Sequence, residues 1–117
     1  MDSNVDQVKE IESAVIGAVL RDGDTFQLAR EIVDAGHFYI QPFSWAWEAM
    51  ENVYTKKMKI DVFTVADELE RMGKMTDFSS GPLSGRFLLS ELRGNGEPKN
   101  VVSYAALVEE APTQWPA

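Results

Sequence analysis

The sequence holds no cysteine and a single histidine, His37. The first absence excludes disulfides and thiolate metal sites. The second excludes a two-histidine metal centre or a carboxylate–histidine–zinc cluster. Cations are also scarce: 11 Lys and Arg against 19 Asp and Glu leave a formal charge of -8. Binding to the phosphate backbone of nucleic acid needs Lys and Arg to displace counterions, so this balance argues against direct nucleic-acid binding. Long apolar runs are missing too. The stretch Ala14 to Leu20 falls far short of the ~20 residues of a membrane-spanning helix. Residues 1–12 lack the basic start and apolar core of a signal peptide. Together these absences predict a soluble, cytoplasmic protein with no membrane partner.

What is present fits one domain. At 117 residues and 44% hydrophobic composition, a chain should bury somewhat over ~60% of its unfolded surface. Val8, Ile11, Val15, Ala18 and Val19 recur at helical spacing and predict a first helix over about 4–21, capped by Ser3 or Asn4. Gly17 interrupts this stripe at a cost of about 1 kcal/mol relative to alanine, which suggests close approach of another helix. Asp24 with Gln27 predicts a capping box opening a second helix, buried through Phe26, Leu28, Ala29, Ile32 and Val33 and stopped by Gly36. Pro42 suits the first turn of a third helix, about 42–56. Its core side is read as Trp45 or Ala46, Ala49, Met50 and Val53, with Phe43, Trp47 and Tyr54 near its edges.

Asp61 caps a fourth helix through Val62, Val65, Ala66, Leu69 and Met72, and Gly73 ends it. Residues 76–81 read as a loop. Pro82 opens a fifth helix carrying Leu83, Phe87, Leu88, Leu89 and Leu92. Gly94-Asn95-Gly96-Glu97-Pro98 is a break. Asn100 caps a last helix with Val101, Tyr104, Leu107 and Val108. No segment alternates with period two for long. The predicted fold is all-α, a compact bundle of five to six short helices over residues 1–110, followed by a proline-containing tail at 111–117.

No catalytic constellation emerges. Gly94-Asn95-Gly96 lacks the Lys-Ser/Thr of a phosphate loop and follows no strand. His37 reads as a loop residue beside Phe38 rather than a general base, since catalysis also needs a nucleophile and an orienting partner. Glu10/Glu12 and Glu109/Glu110 are spaced so that they do not face each other on a helix, and read as solvated surface. Lys56, Lys57 and Lys59 read as cations complementing a helix C-terminus. Phe38, Tyr39, Phe43, Trp45 and Trp47 lack the positive groove of a base-stacking site. They read as core, with a partner interface as the other option. No catalytic, cofactor-binding or metal-binding residue is expected.

Two stretches carry a family resemblance. Glu12-Ser13-Ala14-Val15-Ile16-Gly17-Ala18-Val19-Leu20-Arg21-Asp22 resembles the opening helix of the amino-terminal domain of bacterial replicative helicases of the DnaB family, which commonly reads E-x-A-V-L-G-A-L-L-L-D. Ile60-Asp61-Val62-Phe63-Thr64-Val65-Ala66-Asp67-Glu68-Leu69-Glu70-Arg71-Met72-Gly73-Lys74 is similar to its I-D-x-x-T-V-x-x-E-L-x-x-x-G-K segment. Between them, Phe38-Tyr39 and Glu48-Ala49-Met50 match the family's F-Y and E-A-M elements. Leu89 to Leu92, and Asn100-Val101 with Tyr104 and Val108, fit the later helices. The likeness spans about residues 8 to 110. It departs from the pattern at Pro42, one place later than usual, and at Ile40, where arginine is common.

The resemblance implies an all-helical head that leads into a helical hairpin, contributes to the collar of a hexamer and docks primase, while ATP hydrolysis belongs to a separate carboxy-terminal domain. The second arm of the hairpin, the linker helix and the motor do not lie within these 117 residues; Met1 and the Pro-rich end lean towards a natural short protein. The expected partners are the carboxy-terminal domain of primase and helicase subunits, with a weak homodimer also anticipated. The docking residues expected on the last two helices are Phe87, Leu88, Glu91, Val101 and Tyr104. Glu12, Gly17, Phe38, Tyr39, Asp61, Thr64, Leu69 and Gly73 are the structural motif positions. A second reading is a stand-alone regulator, for instance from a mobile element, that competes with a host helicase head for primase or helicase.

Overall fold

The computed structural model describes residues 2–78 and 85–110, and no strand occurs among them. Seven α-helices are described: α1 (Asp2–Arg21), α2 (Phe26–Ala29), α3 (Gln41–Thr55), α4 (Val62–Arg71), α5 (Met75–Phe78), α6 (Gly85–Leu92) and α7 (Val101–Glu110). Helix α1 is the hub. Helices α6 and α7 pack on it, α3 also touches it, and α4 bridges α3 to α6. The Val15, Ile16, Val19 and Leu20 side chains of α1 are buried in this core.

Several local expectations are corrected. Helix α1 begins at Asp2, so Ser3 and Asn4 lie inside it and not at its cap. The capping box expected at Asp24 and Gln27 does not form. Asp22 is the capping residue instead, its carboxylate accepting the Asp24 N–H at 3.2 Å and opening a 3₁₀ turn over Gly23–Thr25. The second helix is then a single turn, Phe26–Ala29, which leaves Leu28 exposed. Its C-terminal half gives way to a 3₁₀ turn at Ala35–His37. Within 76–81, residues 76–78 belong to α5. Pro82 and Leu83 lie outside the described residues, as does the tail at 111–117. Asn100 sits in a 3₁₀ turn (Pro98–Asn100) that runs into α7.

Helix α3 buries more than its pattern suggested. Phe43 and Trp47 belong to the core, not its edges, and Trp45 is only half-buried. Trp47 is 0% exposed and lies between Phe26 and Phe38, with ring centroids 4.7 and 5.3 Å away in tilted geometry. Such pairs add about 0.5–1.5 kcal/mol beyond area burial. Helix α4 opens at a capping box: Asp61 accepts the Thr64 N–H at 2.9 Å, and the Thr64 hydroxyl accepts the Asp61 N–H at 3.0 Å. Gly73 closes it at φ +74°. There the Lys74 N–H donates to Leu69 and the Gly73 N–H to Glu70, the six-to-one and five-to-two bonds of a Schellman ending.

A buried carboxylate pins α3 to α4. Glu68 accepts from Lys56 Nζ at 2.6 Å and from Asn52 Nδ2 at 3.0 Å. Because Lys56 is itself largely solvated, its contribution is that of a screened pair. Lys56→Met is expected to lower stability by about 1 kcal/mol, read as a shift in the urea midpoint. An unchanged midpoint would show that Asn52 alone satisfies Glu68.

Candidate docking surface

Three of the sequence-predicted motif residues, Glu12, Phe38 and Tyr39, meet at one buried polar joint, which corrects the reading of Glu12 as solvated surface. Glu12 of α1 is 2% exposed, and its two carboxylate oxygens accept the backbone N–H groups of Tyr39 at 2.7 Å and Ile40 at 3.0 Å. These groups lie just ahead of α3, where helix donors have no partner of their own. Burial raises the Glu12 pKa above its ordinary value, and the two backbone hydrogen bonds act against that rise. Phe38 is buried beside this joint, while Tyr39 points outward. His37 Nδ1 accepts the Asp34 N–H at 3.0 Å, as part of a capping box over the 3₁₀ turn. That bond gives the lone histidine a structural task.

A second joint fixes α6 and α7 against α1. A Cβ on Gly17 would fall on the Leu92 carbonyl oxygen, and a Cβ on Gly96 would fall on the Ala14 carbonyl oxygen. Two backbones therefore meet through reciprocal glycines. The Tyr104 hydroxyl accepts the Glu97 N–H at 3.3 Å, tying α7 back to the same turn. Leu69 is fully buried.

The residues expected to dock a partner do not share one exposed patch. Val101 is buried in the core, which removes it from the surface: it lies on the side of α7 that packs inward with Ala105 and Val108. Tyr104 is half-buried and engaged with the 94–98 turn. Leu88 is half-buried and Glu91 exposed, and both line a shallow groove of about 230 Å³ with Lys9, Phe43, Leu92 and Asn95. The Phe87 side chain lies outside the described residues.

Sequence reasoning passed over Val102 and named Leu107 only as part of the last helix's stripe; they are 48% and 47% exposed on α7. A signal was present. Val101, Val102, Ala105, Ala106, Leu107 and Val108 surround most of the helix, and a helix apolar all round normally has partners on more than one side.

Among the described residues no cluster of three or more His, Cys, Asp or Glu could hold a metal ion, and no helix is long and apolar enough to cross a membrane. Fold and surface together define a small all-α head domain whose outer helix leaves apolar side chains uncovered. The chain belongs to the DnaB-like helicase N-terminal domain family, whose model matches residues 4–110. It is similar to the N-terminal domain of DnaB helicase from Mycobacterium tuberculosis, with 26% identity and a TM-score of 0.78 over 86% of this chain and 70% of that one. This helicase subdomain is distinct from the catalytic ATPase domain.

Proposed function

We propose that the chain is a non-catalytic, cytoplasmic docking module of DNA replication that presents α6 and α7 to the carboxy-terminal domain of primase and to neighbouring helicase subunits in the collar. The observation that carries this reading is α7 itself. It packs one side on α1 and leaves Val102 and Leu107 in solvent, an arrangement suited to a second helical partner. Leu88 and Glu91 would offer a second contact on α6, in the groove they line with Lys9 and Phe43. The wide acidic excess disfavours nucleic acid as the direct partner.

Calorimetric titration with the primase carboxy-terminal domain tests the assignment. Micromolar binding is expected for the native chain. Val102→Asp with Leu107→Asp should weaken it at least about tenfold, as loss of about 1.4 kcal/mol does. Both side chains are surface-exposed, so helical circular dichroism should be unchanged. Equal affinity for the double variant would remove α7 from the interface.

A further inference from the structure

Two depressions adjoin the segment between α3 and α4 around Lys59 and Ile60, and only the second reaches α6, through Ser90 and the following Arg93. One, of about 490 Å³, is bordered by Arg30, Tyr54, Lys57 and Met58. The other, of about 560 Å³, is bordered by Arg21, Phe63, Ser90 and Arg93. Gly23, Lys59 and Ile60 belong to both linings, so the two meet there. Residues 90 and 93 lie roughly opposite 88, 91 and 92 at about 100° per residue, which separates this groove from the proposed α6–α7 surface.

The groove's charge runs against that of the chain. Of 11 Lys and Arg in a sequence of net charge -8, five (Arg21, Arg30, Lys57, Lys59 and Arg93) line it. The lining holds three carboxylates, Asp22, Asp24 and Asp61, and Arg21 and Arg30 are paired with Glu97 and Glu51 outside it. Asp22 and Asp61 already accept backbone N–H groups as caps. Lys57, Lys59 and Arg93 make no ion pair among the described residues. Large apolar side chains stand among the cations: Phe63 is 72% exposed and Met58 51%.

Lys57 adds an independent observation. It occupies φ 61° at the end of α3, where Met58 N–H donates to Val53 and Lys57 N–H to Tyr54. This is the Schellman ending that Gly73 makes after α4. Glycine adopts that conformation without strain, whereas a lysine there is held at a cost. The cation is kept at the groove's edge against local backbone preference.

We infer that this groove binds an acidic segment of a partner protein in which carboxylates alternate with large apolar side chains. The cations recognise the carboxylates, and Phe63 and Met58 receive the apolar anchors. The binding is weak and salt-sensitive, as exposed charge pairs dictate.

The test uses the 117-residue chain and a fluorescent peptide of about twelve residues alternating Glu with Leu and Phe, long enough when extended to cross both depressions. Anisotropy should show saturable micromolar binding that weakens between low salt and about 0.15 M. Lys59→Glu with Arg93→Glu should weaken it by about tenfold or more. Phe63→Ser should weaken it with circular dichroism unchanged. Lys57→Gly should weaken it while the urea midpoint stays level or rises, a combination that loss of structure cannot produce. Val102→Asp with Leu107→Asp should leave it intact, so failure here and failure of primase docking are separable. Absence of saturable binding would overturn the proposal. So would affinity untouched by charge reversal, equal binding of a Lys-for-Glu peptide, or preference for an oligo-dT strand, which would assign the groove to nucleic acid.

Discussion

Gly96→Ala is expected to destabilise the chain by about 4 kcal/mol or more, a large share of the 5–15 kcal/mol that holds a typical domain folded. The added methyl would fall on the Ala14 carbonyl oxygen, with the Ala14 carbonyl carbon and Ala18 nitrogen both 2.9 Å away. All three are backbone atoms of α1, so no rotamer change can open space, and relief requires moving the 92–96 turn off the helix. Overpacking ordinarily costs about 1–3 kcal/mol where side chains can yield. Gly17→Ala meets the Leu92 carbonyl from the other side, and the gain in helix propensity of about 1 kcal/mol offsets only part of that clash. By contrast, Gly94→Ala has only the Glu91 oxygen at 3.6 Å and should be nearly neutral. Urea unfolding followed by circular dichroism compares the three. A Gly96→Ala midpoint close to the native one would mean that the turn does not sit on α1 as described.

Glu12→Ala is expected to cost about 3 kcal/mol, because it leaves the Tyr39 and Ile40 N–H groups without their charged acceptor in a buried place. Glu12→Gln keeps one acceptor oxygen and should cost less. The pH dependence has a definite sign. Burial raises the Glu12 pKa above 4.5, so between that value and its folded pKa the folded chain holds more proton than the unfolded one. Stability from this group therefore falls as pH rises through the window and is greatest on the acid side. Relative to Glu12→Gln, which cannot titrate, the native chain should lose urea resistance as pH rises from about 4.5 towards neutrality. A relative gain over that range would show that the hydrogen bonds, not desolvation, govern the carboxyl.

The parts of this fold legible in the sequence are those whose causes are local. The Asp61 cap, the Gly73 stop and the apolar stripe of α4 each arise within a few residues, and each is found where the pattern puts it. The all-α class follows equally from the absence of alternation. What was hidden depends on contacts across the chain. Gly94-Asn95-Gly96 reads locally as a simple break, yet Gly96 is buried against α1 some eighty positions away. Asp22 and Asp24 are equivalent candidates by type; the tight turn at Gly23, pressed against the Ile60 backbone, selects Asp22. Trp47 reads as an edge residue on a helical wheel, but the rings of Phe26 and Phe38 close over it from other elements.

The surface proposed for docking was the least legible part, for the same reason. Val101 and Val102 are equally apolar neighbours. Only the placement of α7 on α1 decides that the first is core and the second is surface. The positive groove was harder still, because its five cations come from four separate stretches of an acidic sequence. In the sequence, Lys56, Lys57 and Lys59 read only as a helix ending. Among them Lys56 is paired to Glu68, while Lys57 and Lys59 face the groove.

Hydrogen–deuterium exchange of the chain, alone and with the primase carboxy-terminal domain, tests the docking assignment most directly because it reads position as well as binding. Slowed exchange is predicted along Gly85–Leu92 and Val101–Glu110, with α3 and α4 unchanged. Protection confined to the groove around Lys59 and Phe63, or no protection under saturating partner, would contradict docking through α6 and α7.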